Sequence, residues 1–595
     1  MISRKLRLAL ASAGICAFVM WPGAPGAGND TFDPLLDGGA LCVQEAAGPP
    51  AVLRALVLAA AETAPFQPVP AKPAMGEAPV LYENLGTLRF KAGTSNPRAQ
   101  AWFDQGVRLS FAFNHAEAQR AFREAQKLDP KCALCFWGEA LILGPNINVP
   151  MMPEANPPAL AALAKAFEQE QSAPPRDRAL IAALARRYSS DPKAVRADLD
   201  AAYAKAMEDV ARRYPADDTL RTLYVESAMD TQPWDYWEPG GVKAKGRGDE
   251  IISNLEAVLK RSPNHAGAIH LYIHAVEAST TPERALAPAE RLGALMPGAG
   301  HIVHMPAHIY YRVGQYRRSL DTNKRAVAID EQYFQRSPSD PLYKSAYYPH
   351  NIHFVMVSAQ MGGDAATAVA AAKKLDAAVP AELAKLFQIM EPVKAAPYTT
   401  QVTFGDPDTV LALAKPDDQL VLVRAIYHYA RAVAFARKND AASARAETDA
   451  IAALEAKSDF KAYDAWGVPA KEILQTARLV ATGRIADAGG DLDGAAKAYE
   501  EAIALEDSLK YTEPSYWYYP VRQSLGSVRL RQNRLDDAER AFRDSLARVR
   551  NNGWALAGLA EVYRLKGDRN GETAARRAYA RTWFGPAGGP DLARL

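Results

Sequence analysis

One pattern recurs along this chain and constrains its fold more than any other feature. Starting at Ala99, a unit of 34 residues carries Trp102, Gly106, Ala118, Phe122, Ala125 and Pro130 at positions 4, 8, 20, 24, 27 and 32. Leu525, Gly526, Ala538 and Phe542 repeat the pattern in a unit beginning near Tyr519, and Gly483, Ala495, Tyr499 and Ala502 in one beginning near Thr476. Ala285 and Pro297 mark a unit beginning near Ala266, and weaker copies start near Gly300, Pro349, Arg424 and Gly553. Small residues such as Gly106 and Ala118 let two helices approach closely. A large one such as Phe122 fills the space between units, and Pro130 stops the second helix. A single hairpin of this kind cannot bury its own apolar face, so the units must stack. Abundant alanine and few β-branched runs favour helix throughout.

The pattern resembles the tetratricopeptide repeat and covers most of the chain from Asn96 to Trp583. The expected fold class is therefore all-α, a tetratricopeptide-repeat α-solenoid. The stretches FNHAEAQRAF, CALCFWGEALILGPNINVP, HMPAHIYYRVGQY and EPSYWYYPVRQSLG are similar, taken together, to a family of exported bacterial tetratricopeptide-repeat proteins. That resemblance implies fold and export and carries no catalytic residues with it.

The beginning of the sequence agrees with export. Arg4, Lys5 and Arg7 precede a short apolar run from Leu8 to Trp21, followed by GAPGAG. Residues 1–27 read as a signal peptide. The apolar run is too short for a comfortable membrane span, and no other stretch reaches one. Cys16 lacks the small residue before it that a lipid-anchor motif needs. The expected location is the periplasm. Further divisions follow from composition: an Ala/Pro-rich lead-in over 28–95 with a short extended segment at 81–93, and an N-terminal repeat block over 96–379. An irregular connector at 380–417, marked by PYTTQVTFGDPD, leads to a C-terminal repeat block over 418–585 and a tail over 586–595. The proline-rich loop 143–158 is long enough to carry function.

Charge narrows the partners. The chain has 70 Lys and Arg against 68 Asp and Glu, and the signal segment takes three of the basic residues with it. A near-neutral chain has no electrostatic reason to hold nucleic acid. A protein or peptide in the concave groove is the ordinary use of such arrays, and nothing in the sequence sets an oligomeric state. GxxxxGK, GxSxG and HExxH are all missing from the sequence, so nucleotide, serine-hydrolase and zincin readings lack support. Cys132 and Cys135 are spaced as a CxxC at a helix start. They read as a local structural disulfide, with a redox or metal role as the alternative. Phe136 follows where c-type haem attachment needs His, which excludes haem.

Ten histidines occur in the chain, and the repeat acts as a ruler for them. The Ala266 unit puts His270 and His274 at positions 5 and 9. The Gly300 unit puts His301, His304 and His308 at positions 2, 5 and 9. The Pro349 unit puts His350 and His353 at positions 2 and 5, and the Arg424 unit puts His428 at position 5. The resemblance implies that positions 2, 5, 9 and 12 of each first helix line the concave groove. Seven imidazoles from three consecutive helices then face one hollow. His at i and i+4 on a helix can bind one ion, and neighbouring helices lie close enough to share one.

Glu226, from the preceding unit, is expected to join them, with Asp230 one turn on. Imidazole with carboxylate suits zinc or iron, and imidazole alone suits copper or zinc. His270, His274, His304 and His308 are the leading ligand candidates; His301, His350, His353 and Glu226 follow. Two other roles remain open, a His-lined pocket for an organic or peptide ligand and a buried polar network that braces the helices. His115 and His265 sit in turns and read as capping or surface residues. Trp234, Tyr236, Trp237 and Tyr518 lie in aromatic loops that either pack on the neighbouring hairpin or rim the groove. The functional expectation is an exported repeat scaffold with a transition-metal site. A metal-free adaptor and a metalloenzyme with a mono- or dinuclear His site are the alternatives.

Overall fold

A computed structural model describes residues 79–337 and 341–595. Residues 1–27, expected to be a signal peptide, and most of the lead-in lie outside the described residues. Among those described, the chain is an all-α solenoid of tetratricopeptide-type hairpins, and β structure is confined to the isolated bridges Asn146–Val149 and Trp237–Ala244. The hairpins that matter most pair Pro97–Ser110 with His115–Leu128, Ala266–Val276 with Leu286–Leu295, and Tyr347–Met361 with Ala365–Ala378. Between the last two lies a hairpin whose first helix is split. Gly300–His304 and Pro306–Arg312 meet at Met305 and pack on Tyr316–Arg336. Proline at 306 lacks the N–H that a continuous helix would use there. No helix among the described residues is long and apolar enough to cross a membrane.

The packing logic of the repeat is realised at its glycines. A Cβ on Gly106 would lie 2.5 Å from the Phe122 ring, and one on Gly138 2.4 Å from the same ring. Gly526 and Gly558 stand in the same relation to Phe542, and Gly483 to Tyr499. One fully buried ring therefore fills the space left by glycines, of its own hairpin and, for Phe122 and Phe542, of the next. Phe122→Ala is expected to cost about 3–5 kcal/mol, as phenylalanine cavities do. Urea denaturation followed by circular dichroism would measure it.

The turns between paired helices share a device. Asp364, Asp440, Asp491 and Asp568 each accept a hydrogen bond from the backbone N–H three residues on, capping the second helix. Each follows a residue at positive φ, namely Gly363, Asn439, Gly490 and Gly567. In the first hairpin Asn114 is the cap, and the positive-φ position before it holds Phe113, at 55°.

Segments outside the plain repeat pack against it, and one of them, the connector, differs from the sequence expectation. The segment at 81–93 runs along the first helix. Its Phe90 and Ala92 N–H groups donate to Asp104 and Gln100, and Gln100 returns a bond to the Phe90 carbonyl. The supposedly irregular connector is largely helical, with Ala381–Leu386, Glu391–Phe404 and Pro407–Leu411. Pro397 sits inside the second of these, and the Glu391 carboxylate accepts from the Leu422 and Val423 N–H groups that begin the next helix. The tail folds back on the last hairpins, where Ser527 donates to the Leu592 carbonyl. Loop 143–158 packs near Arg187, which donates to the Pro145 carbonyl. Cys132 and Cys135 form a disulfide at the start of Ala133–Ile142.

The superhelix winds back on itself. Tyr316 donates to the Arg550 carbonyl, Asn551 to Val313, and Trp554 to Gln360. The loop 511–520 of the C-terminal block thereby reaches the histidine helices of the N-terminal block.

Candidate metal centre

Six of the seven expected histidines come together as two groups of three. Nε2 of His270 lies 3.1 Å from Nε2 of His274 and 3.1 Å from Nε2 of His301. Nε2 of His308 lies 2.6 Å from Nε2 of His304 and 3.4 Å from Nε2 of His350. A tetrahedral ion with bonds of about 2.0–2.1 Å to nitrogen separates its donors by about 3.3 Å. Three of the four distances lie close to that edge, and the His304–His308 pair is closer than it, so an ion there would push those two rings apart. The local cause is helical periodicity. His270 and His274 are one turn apart, as are His304 and His308. His301 and His350 supply the third donor from a neighbouring turn or helix.

The opposite ring nitrogens explain which atoms are free to ligate. Nδ1 of His270 is 2.7 Å from the Phe111 carbonyl, an acceptor only, so it carries the hydrogen. Nδ1 of His304 is 2.5 Å from Oδ1 of Asn323, whose own amide nitrogen donates to the Ser319 carbonyl. Each triad therefore contains one histidine whose Nε2 is a bare lone pair. The Glu277 carboxylate completes the pattern. Its Oε1 is 2.9 Å from Nδ1 of His274, and its Oε2 is 2.6 Å from Nδ1 of His308. When it is ionised, all four Nε2 atoms present lone pairs toward one another at 2.6 and 3.1 Å. Such an arrangement is repulsive unless a cation lies between them. Acceptors on the far nitrogen are the usual support of metal-bound histidine.

Burial removes the proton as the balancing cation. His270 and His304 are 0 % exposed. Burial lowers the imidazole of His270 to about 3, that of His308 to about 3, and that of His350 to about 3, the last also through repulsion from His308. His274, His301 and His304 fall well below the ordinary histidine value, through burial first and neighbouring imidazoles second. Burial pushes Glu277 up to about 8, and Glu513 well above its ordinary value with repulsion from Glu277 added. Glu513 also contacts Nδ1 of His308, so Glu277, His308 and Glu513 form a third cluster at the edge of the second triad.

Aromatic rings wall the site. The Phe113 centroid is 4.4 Å from that of His270, 5.6 Å from His301 and 6.1 Å from His274. Phe354 stands in the same relation to the second triad, at 5.1 Å from His304, 4.8 Å from His308 and 5.1 Å from His350. Trp234 lies edge-on to His274 at 4.9 Å. Among the described residues, five non-glycines have positive φ; three are asparagines, and the other two are Phe113 and Trp234. Left-handed backbone costs a bulky residue about 1–2 kcal/mol. Both instances sit against the first triad, as strained residues tend to sit at functional sites.

Other sequence candidates lie apart. His353 bonds Tyr518 at 3.0 Å and does not converge with His350. Glu226 is absent from the clusters; it sits near Asp230, which is ion-paired with Arg187. His428 pairs with Glu447 in the C-terminal block at 2.6 Å. Tyr236 is buried, and Trp237 donates to the Ala275 carbonyl at 2.7 Å, holding the helix that carries His270 and His274. His265 caps that same helix, its Nδ1 accepting from the Ala268 N–H, and His115 lies near Asn146. The groove expected at positions 2, 5 and 9 is closed here, with the imidazoles packed against one another and against phenyl rings. Glu277 occupies position 12 of the Ala266 unit, a groove position by the same ruler, and was the one readable omission. Glu513 had no such signal, because it arrives from a loop more than 200 residues away.

No family model matches the chain, and no curated protein matches it. Among solved structures, the human IFIT1 dimer with m7Gppp-AAAA is similar at 15% identity and a TM-score of 0.32, over 76% of this chain and 89% of that one. The Cut9 and Hcn1 APC/C hetero-tetramer is similar at 12% and 0.28, over 83% and 74%. Yeast Tom70 is similar at 10% and 0.25, over 82% and 90%.

Proposed function

We propose that this chain is an exported helical-repeat scaffold that holds two transition-metal ions, copper or zinc, at its paired three-histidine sites. The observation that carries the reading is the convergence of six imidazoles in two groups of three, each able to offer a ligand atom to one ion, with the far nitrogens of four of the six rings engaged by acceptors. An all-imidazole donor set suits copper and zinc, and three protein donors leave a position open on each ion. The basic and apolar start of the sequence supports export, with residues 1–27 as a signal peptide, and export would place the site in the periplasm.

Mass spectrometry of untagged protein purified from the periplasm tests the reading. Two equivalents of metal are expected in the native protein, none in a His270→Ala/His304→Ala variant, and two in His353→Ala. Metal-free native protein, with all three folded, would overturn the proposal and leave a scaffold whose groove serves a protein or peptide partner.

A further inference from the structure

The two triads are close enough to raise a question that the protein's own donors do not answer. Ring centroids of His274 and His308 are 5.7 Å apart, and those of His301 and His304 are 5.9 Å apart. Two cations held by neutral imidazoles at such a separation repel strongly in a buried, low-dielectric setting. Burial holds protons on Glu277 and Glu513, and only on losing them would these carboxyls offset that charge, from outside, through the Nδ1 atoms on the far side of the rings. Neither places an oxygen among the Nε2 atoms.

Phe113 lies against all three imidazoles of the first triad and Phe354 against all three of the second. A phenyl ring supplies no donor. The phenyl rings cover imidazole faces, and the two triads meet through His274 with His308 and His301 with His304. Three imidazoles would leave each ion short of a fourth donor, and at this separation one small ligand could serve both.

We propose that the two ions share one exogenous small anion, of the size of hydroxide or azide, held between the triads. The inference rests on the two-ion reading above and adds the ligand class to it. A hydroxide so held is a strong nucleophile and base at neutral pH, and its surrounding aromatic wall excludes competing water.

The test loads full-length protein with copper(II) and uses azide as the probe. With two coppers bound, a shared anion couples the two spins, so loss of most of the electron paramagnetic resonance signal relative to total copper is expected. Azide should produce a charge-transfer band that saturates at one azide per copper pair. The His304→Ala variant, which keeps the first triad whole, should show one copper with a full signal and azide binding one to one. A full-strength signal from protein carrying two coppers, or saturation at one azide per copper, would overturn the shared anion while leaving the metal sites standing. Binding of fewer than two coppers by the native protein would overturn the two-ion reading and the shared anion with it.

Discussion

Metal at the two triads is expected to stay bound as the pH is lowered from 7 to about 4.5, where a surface histidine site would empty. An exposed imidazole titrates near 6.5, so at pH 4.5 each of three ligands loses about a hundredfold to the proton, and a triad about a millionfold. His270, His308 and His350 are held by burial at about 3, so protons scarcely compete for them until that range. Equilibrium dialysis against a weak chelator across the pH range would show it. Release with a midpoint near 6 would mean that the imidazoles are not buried as described.

The same groups set the acid stability of the metal-free chain. For each depressed histidine the unfolded state binds more protons below about 6.5, so stability falls with falling pH, by about 1.4 kcal/mol per unit and per group down to the folded value. Raised carboxyls oppose this. Glu277 and Glu226 at about 8, and Asp230, Asp330, Glu391 and Glu506 at about 7, bind protons preferentially in the folded state until the unfolded carboxyls titrate near 4.5. Between 7 and 4.5 the two sets largely cancel. Below 4.5 the histidine contribution continues, and carboxylates held low in the folded state, such as Asp406, Asp417 and Glu447, add to it in the same direction, so metal-free protein should unfold steeply there while loaded protein resists longer. Thermal melts with and without chelator give both curves.

Glu277 is expected to be the most damaging single substitution outside the ligands themselves. It is 0 % exposed and serves one histidine of each triad. Loss of such a supporting acceptor costs about 10–100-fold in metal affinity. Glu277→Ala removes the acceptor from both triads, so both ions should weaken by that amount. Glu277→Gln keeps one carbonyl oxygen and replaces the other with a donor. One histidine then turns its bare nitrogen toward the amide and carries its hydrogen on Nε2, which blocks ligation. The glutamine variant should therefore weaken one ion and spare the other. Competition titrations with a chelator would separate the outcomes. Equal affinity in all three proteins would remove Glu277 from the site.

The ring positions were legible in the sequence wherever helical periodicity alone decided them. His270 and His274 are one turn apart on one helix, His304 and His308 are four residues apart on the two short helices that meet at Met305, and the 34-residue register turned their facing direction toward one another. His353 fell away because only one face of its helix meets the site. His350 and Phe354, four residues apart, occupy that face, and His353, one turn fraction aside, meets Tyr518 instead. Glu226 failed for a different reason, since its neighbourhood is occupied by the Arg187 and Asp230 ion pair, which draws that helix end elsewhere.

The all-α class, the stacked hairpins and the gathering of histidines on successive first helices follow from the sequence by itself, because they rest on short-range spacing that repeats. Closure of the groove, its division into two triads, the shared carboxylate and the arrival of Glu513 were decided by tertiary structure alone. They depend on how far the superhelix turns between hairpins and on which loop the C-terminal block brings back across it. Those quantities accumulate from many small packing angles at interfaces such as Phe122 against Gly106 and Gly138, and no local pattern records their sum.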